Sequence, residues 1–163
     1  MGGLPATGKT TIARRVARAR RAVHLRVDTI EQAIVDSGAL RHPVGPVGYA
    51  IAYAQAEEQL RLGLTVVADT VNPLAVTRDE WRAVAARAGV PYIDVEVVCS
   101  DPAEHERRAT DRDVTGQRRP TWAEITRHEY EPRTDERLVL DTAAESVESC
   151  VAALLLLVPA SLG

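Results

Sequence analysis

With 163 residues, the chain has the length of one domain and enough material to bury a core of its own. Its 45% hydrophobic and 26% charged residues are ordinary for a globular protein, and a net charge of −3 excludes any general attraction to nucleic acid or an acidic membrane. Cys99 and Cys150 are too few for a disulfide framework, no basic segment followed by an apolar one opens the chain, and the longest apolar run, residues 151–159, falls short of the roughly 20 residues that span a bilayer, so the expectation is a cytoplasmic protein with no membrane partner.

The chain opens MGGLPATGKTT, and residues 3–10 fit the pattern G-x-x-x-x-G-K-[ST]. In such a loop the backbone N–H groups wrap the β-phosphate of a nucleotide, and the glycines permit that close approach. Gly3, Ala6, Thr7, Gly8, Lys9, Thr10 and Thr11 are therefore the candidate cofactor-binding residues. Lys9 is also a candidate catalytic group that reaches the β and γ oxygens, and the Thr10 hydroxyl is a candidate Mg²⁺ ligand. Lys9 is the only lysine among 20 Lys plus Arg. A compact ammonium fits a loop wound tightly round phosphates where a planar guanidinium does not.

Residues 9–21 then read as a helix with Ile12, Ala13, Val16 and Ala17 on one face, and its last turn is rich in Arg. Residues 22–27 read as a strand that ends at Asp28, followed by a short helix over 29–36 that Gly38 stops. The Pro/Gly-rich stretch 42–48 is loop, and residues 49–62 are a helix with Gly63 at its C′ position. A strongly β-prone run, 64–68, ends at Asp69. Residues 77–87 are predicted as a helix with Thr77 as N-cap and Glu80 completing a capping box. A strand over 92–99 follows, then a helix from Ser100 and Asp101 to about Thr110, a charged loop over 112–120, a helix over 121–130, a strand over 137–140 ending at Asp141, and a closing helix over 146–157. Alternation of strand-length and helix-length apolar segments predicts an α/β fold with a parallel sheet. Only four strands follow the loop, so the strand that should feed it is missing or truncated.

A GTPase needs a base-reading N-K-x-D, which a chain whose only lysine is Lys9 does not have, and Asp69 is followed by Thr70 rather than the Glu of larger ATPase motors. A small kinase remains. Asp28 and Asp69 each close a predicted strand, and the carboxyl ends of parallel strands line the ligand crevice. Asp28 is the candidate base or hydroxyl-positioning group, and Asp69 the candidate Mg²⁺ or Mg²⁺-water group. Arg107, Arg108, Arg112, Arg118 and Arg119 cluster in a lid-like segment, about 107–120, from which Arg108 and Arg112 are the candidates to reach the transferring phosphoryl group. Asn72 and Arg78 are placed to hold the acceptor, and Tyr49 with Tyr53 to wall its pocket.

The segments G-L-P-A-T-G-K-T-T, V-H-L-R-V-D-T-I-E-Q-A-I, G-L-T-V-V-A-D-T-V-N-P and P-T-W-A-E-I-T-R-H-E-Y-E-P resemble small P-loop kinases of the AAA-family-ATPase and adenylylsulfate-kinase-like group. That group is related to zeta toxins, chloramphenicol phosphotransferase and polynucleotide kinases. The resemblance implies a three-layer P-loop fold with strand order 2-3-1-4-5 and ATP as phosphate donor. It gives Asp28 the role at the acceptor hydroxyl, matches Asp69, Asn72 and Arg78 to the group's D-x-x-N and downstream Arg, and brings Asp141 and Thr142 near the adenine. The acceptor-site pattern of true adenylylsulfate kinases is not found. The expectation is a single domain, monomeric or homodimeric, that uses ATP and Mg²⁺ to phosphorylate a hydroxyl of a small molecule. The alternatives are a nucleic-acid-end or nucleotide-sugar kinase of toxin type and a nucleotide-binding switch without phosphotransfer.

Overall fold

The computed structural model of the protein describes residues 1–111 and 120–158. Its helices and strands run α1 (Lys9–Arg20), β1 (Val23–Arg26), α2 (Val27–Asp36), α3 (Val47–Arg61), β2 (Val66–Asp69), α4 (Ala75–Ala88), β3 (Val95–Val98), α5 (Pro102–Asp111), α6 (Trp122–Thr126), β4 (Leu138–Asp141) and α7 (Val147–Leu157). All pairing is parallel: β1 with β2 in the register Val23 to Val66, and β3 with β4 in the register Val95 to Leu138. No helix among the described residues is long and apolar enough to cross a membrane.

Between the two strand pairs stand residues 1–3. Met1 N donates to Ala68 O (2.8 Å) and Thr70 N to Met1 O (3.2 Å) on one side, while Gly2 N donates to Val95 O (2.7 Å) and Val97 N to Gly2 O (2.9 Å) on the other. The expected gap in the sheet is thus corrected in one respect. Three residues suffice to join the strand pairs and to suspend the loop at the carboxyl ends of β2 and β3.

Each face of the strands is covered as the alternation of side chains demands. Val67, Val95, Val97 and Leu140 pack on one face against Ile12, Ala13, Val16 and Ala17 of α1 and Cys150 and Leu154 of α7. On the other face Ala52 and Ala56 of α3 and Trp81 and Val84 of α4 form a second core with Val27. Where that face passes β3 the cover is ionic. Asp94 and Glu96 meet Arg133 and Arg137 from residues 127–137, which cross beneath as an irregular strap (N···O 2.5 Å for both pairs). Tyr130 Oη donates to Glu96 Oε1 (2.8 Å).

Three predicted boundaries need correction. α4 starts at Ala75 rather than Thr77, because Leu74 is the extended residue before it and the Thr77 hydroxyl donates back to Leu74 O (2.8 Å) instead of capping. α6 ends at Thr126 rather than Tyr130, since the strap must leave the helical path to deliver Tyr130 and Arg133 to β3. Its start carries the capping box between Thr121 and Glu124, the motif expected at Thr77. β1 ends at Arg26, so Asp28 lies in the first turn of α2 rather than at a strand end.

Candidate active site

The loop over residues 3–8 departs from regular backbone where its pattern requires. Gly3 has φ +133°, and a Cβ there would lie 2.1 Å from Val97 O, so only glycine lets the chain turn this close to β3. Gly8 has φ +93° and Ala6 φ +67°, and Gly8 O then accepts from Thr11 N and Ile12 N to start α1. Thr7 Oγ1 and Lys9 Nζ both donate to Leu4 O, at 3.0 and 3.2 Å. Lys9 is buried, with its ammonium folded over the loop. Thr10 sits in the first turn of α1, and the neighbouring Thr11 is exposed.

Asp69 closes β2 with only 1% of its surface exposed. Its Oδ2 lies 3.3 Å from His24 Nε2 and 3.8 Å from Arg26 Nε, both reaching over from β1. Burial by itself raises its pKa, but the His24 hydrogen bond, the Lys9 charge and the Thr10 hydroxyl hold the carboxyl below its usual range. Thr10 and Asp69 therefore form one oxygen cluster beside Lys9. Among the described residues no group of three His, Cys, Asp or Glu side chains could cage a metal. Two protein oxygens are the donor set that suits Mg²⁺, which keeps its waters and takes the rest of its shell from phosphate.

On the far side of the loop, Thr142 and α5 back it. Thr142 Oγ1 donates to Thr7 O (2.8 Å), and its methyl group would touch a Cβ placed on Gly8 at 3.5 Å. Asp141 accepts from Ser100 N and Ala143 N, both at 3.0 Å, and the bonds from Ser100 and Ala143 keep its carboxyl below the ordinary range. The Arg108 guanidinium bonds to its protein neighbours: Nε donates to Glu104, and Nη1 and Nη2 to Thr142 Oγ1 and O at 2.7 and 3.0 Å. Arg112, Arg118 and Arg119 lie outside the described residues.

At the mouth beyond Asp69, Asp28 Oδ2 accepts from Arg26 Nη2 (2.9 Å) with 43% of its side chain exposed. One helical turn on, Glu31 packs against Gly48, where a Cβ would come within 2.4 Å of Glu31 Cγ. Burial, with the Asp28 charge second, pushes the Glu31 carboxyl up to about 7. Tyr49 Oη accepts from Thr70 Oγ1 (2.5 Å) and Asn72 N (3.0 Å), which ties α3 to the end of β2. Asn72 takes φ +55° and is buried, and its Oδ1 has no hydrogen-bond partner among the described residues. Arg78 is 3% exposed and donates to Pro73 O (2.9 Å), so it braces the turn after β2. Tyr53 belongs to the core, edge-on to Trp81 at 4.6 Å with its hydroxyl on Thr77 O. The structure thus brings together Lys9, Thr10 and Asp69, and separately Tyr49 and Asn72, while Arg78 and Tyr53 support the frame.

Sequence reasoning passed over His24, Arg26, Glu31 and His105. The signal for the first two was present, since His24 and Arg26 alternate on β1 and share a face. His105 on α5 reaches Pro5 O across 100 residues of chain, which no local pattern announces.

Residues 1–149 match the family model described as AAA domain. The "Probable adenylyl-sulfate kinase" of Aeropyrum pernix is 29% identical over 97% of this chain and 90% of its own length. Among solved structures, the Mycobacterium tuberculosis APS kinase in complex with AMPPNP and APS superposes with a TM-score of 0.71 at 21% identity, over 96% of this chain and 94% of that one. A gluconokinase from Sinorhizobium meliloti gives a TM-score of 0.63 at 19% identity, over 95% and 87%. At such identities the two structures speak for the fold, an α/β arrangement with parallel strands and a phosphate loop.

Proposed function

The chain belongs to the AAA domain family, and we propose that it is an ATP- and Mg²⁺-dependent kinase that phosphorylates a hydroxyl of a small molecule. One observation carries the reading: at the root of the phosphate loop, Lys9 is buried with its ammonium on Leu4 O, and the buried carboxyl of Asp69 is held below its usual range by His24, the Lys9 charge and the Thr10 hydroxyl. That is the equipment for binding the β and γ phosphates of a nucleotide and for neutralising charge during transfer. Gly3, Ala6, Thr7, Gly8 and Thr11 belong to the loop and the start of α1, while Thr142 bonds to Thr7 O and Asp141 to Ser100 N and Ala143 N behind it. When bound, Mg²⁺ would be held by Thr10 and Asp69 and would supply charge neutralisation on the phosphates.

Asp28 stands at the mouth with its carboxylate half exposed and oriented by Arg26. It accepts the proton of the acceptor hydroxyl and aligns the oxygen for in-line attack. Asn72, through its unpaired Oδ1, and Tyr49 shape the acceptor side. The protein works in the cytoplasm, where ATP and metabolites meet it. Adenylyl sulfate and gluconate enter as candidate acceptors through the relatives' names. A mass-spectrometric screen of hydroxyl metabolites with ATP and Mg²⁺, including those two, tests the proposal. A metabolite that gains 1 phosphate only when the protein is present supports it. Tight ATP binding with no phosphorylated product across the panel contradicts it and favours a nucleotide-binding switch.

A further inference from the structure

Three successive stretches of the loop backbone have carbonyls held by side-chain donors from different places. Leu4 O takes Thr7 Oγ1 and Lys9 Nζ, from within the loop and its helix. Thr7 O takes Thr142 Oγ1. Pro5 O takes Nε2 of His105, at 2.8 Å. A carbonyl only accepts, so Nε2 carries the hydrogen. The His105 ring is 6% exposed and lies edge-on to Trp122 with centroids 5.0 Å apart and planes at 76°. Its helix is fixed at one end by Asp101, which accepts from Ala103 N and Glu104 N. Arg108, one turn beyond, holds it to Thr142.

The peptide unit is planar, and in its trans form the C=O and the following N–H point in opposite directions. Fixing Pro5 O on the outside of the loop therefore aims Ala6 N–H inward. Fixing Thr7 O does the same for Gly8 N–H. These two amides flank Thr7 on the concave side, where an anion is bound by converging backbone donors. Ala6 holds φ +67°, a conformation an alanine seldom adopts without an external constraint.

We propose that His105 is a positioning residue for the nucleotide: through its bond to Pro5 O, with Trp122 holding the ring, it presets the loop amides for the phosphate chain. The proposal rests on the nucleotide-binding part of the function above and adds that α5 organises the loop before ligand arrives. It concerns binding of a diphosphate and not the acceptor.

Calorimetric titration with ADP tests it on wild type, His105→Leu, which removes the donor, and His105→Gln, which retains an N–H at comparable reach. His105→Leu is expected to raise the Kd for ADP roughly tenfold and His105→Gln to stay within about threefold of wild type, the size of one preorganising hydrogen bond. AMP, which lacks the β-phosphate, is the control, and its Kd should move less than about twofold in either variant. Wild-type ADP affinity in His105→Leu overturns the proposal, and so does a His105→Gln as weak as His105→Leu. If His105→Leu does not fold, Trp122→Leu, which frees the ring but keeps the donor, is expected to weaken ADP by about threefold with AMP unchanged; unchanged ADP affinity there overturns it. A wild type that binds ADP yet phosphorylates nothing sinks the kinase reading and leaves this one standing.

Discussion

Asp28 and Glu31 are two carboxyl groups one helical turn apart with different environments and different expected tasks. Asp28 is half exposed and bonded to Arg26, so it stays available to a hydroxyl at the site mouth. Asp28→Asn keeps size and loses the acceptor charge. We expect kcat to fall by about 10²-fold or more with ATP affinity within about threefold, a split that steady-state kinetics reads directly. An unchanged kcat would place the base elsewhere. Glu31 is pushed up to about 7 by burial and by Asp28, so the folded protein holds a proton that the unfolded chain releases near 4.5. Its stability contribution is therefore best at low pH and is lost as pH rises from about 4.5 to about 7. Glu31→Gln removes that slope. The gain in stability over wild type should grow across the window and level off above it, reaching about 1 kcal/mol after solvent screening at this half-buried position, or a few degrees in Tm. Melting curves from pH 4 to 8 check this, and a difference that does not vary with pH contradicts it.

At the scale of elements, the loop and its helix were legible because their constraints are local. Four fixed residue types, an apolar stripe at helical spacing and a strand-end carboxylate at Asp69 each say the same thing without reference to distant contacts. The strap over 127–137 was not legible as such. Its first residues carry a helical pattern, but the pull of Asp94 and Glu96 on Arg133, Arg137 and Tyr130 wins over propensity after Thr126. Asp28 was assigned to a strand end for a related reason: the β-prone run continues through Val27, yet Val27 turns into the α3/α4 core and opens α2. The strap makes its own prediction. Arg133 is 1% exposed and bonds both Asp94 and Asp135. Arg133→Leu leaves Asp94, 5% exposed, with Arg82 at 3.0 Å and the Tyr92 hydroxyl as partners. Losing one charged hydrogen bond to a buried carboxylate that keeps its other partners costs about 2 kcal/mol, which in a domain of this size lowers Tm by about 4–8 °C. The double variant Asp94→Leu/Arg133→Leu should recover part of the loss, because it removes the under-paired buried carboxylate as well. A single variant that melts with wild type would show that the strap does not carry the ion pair's energy.

For the whole molecule, the arrangement of covers explains where chemistry can occur. The apolar faces of α1 and α7 close one face of the strands and those of α3 and α4 the other, so the candidate site residues collect where the strands end. Residues 1–3 tie the two strand pairs at that edge, and the loop springs from between them. Long-range contacts complete the site: His24 to Asp69, Thr142 to Thr7 and His105 to Pro5 join parts of the chain 45, 135 and 100 residues apart. Such contacts exist only once the sheet has assembled, which is why a reading of local patterns found the loop and missed its supports. The account as a whole stands on phosphoryl transfer through Lys9. The most direct test follows the γ-phosphate of labelled ATP in the presence of Mg²⁺ and the acceptor found by metabolite screening, with wild type beside Lys9→Met. The label should appear on the acceptor hydroxyl with wild type and fall by about 10³-fold or more with Lys9→Met, while both proteins melt within a few degrees of each other; equal transfer by the two proteins would contradict it.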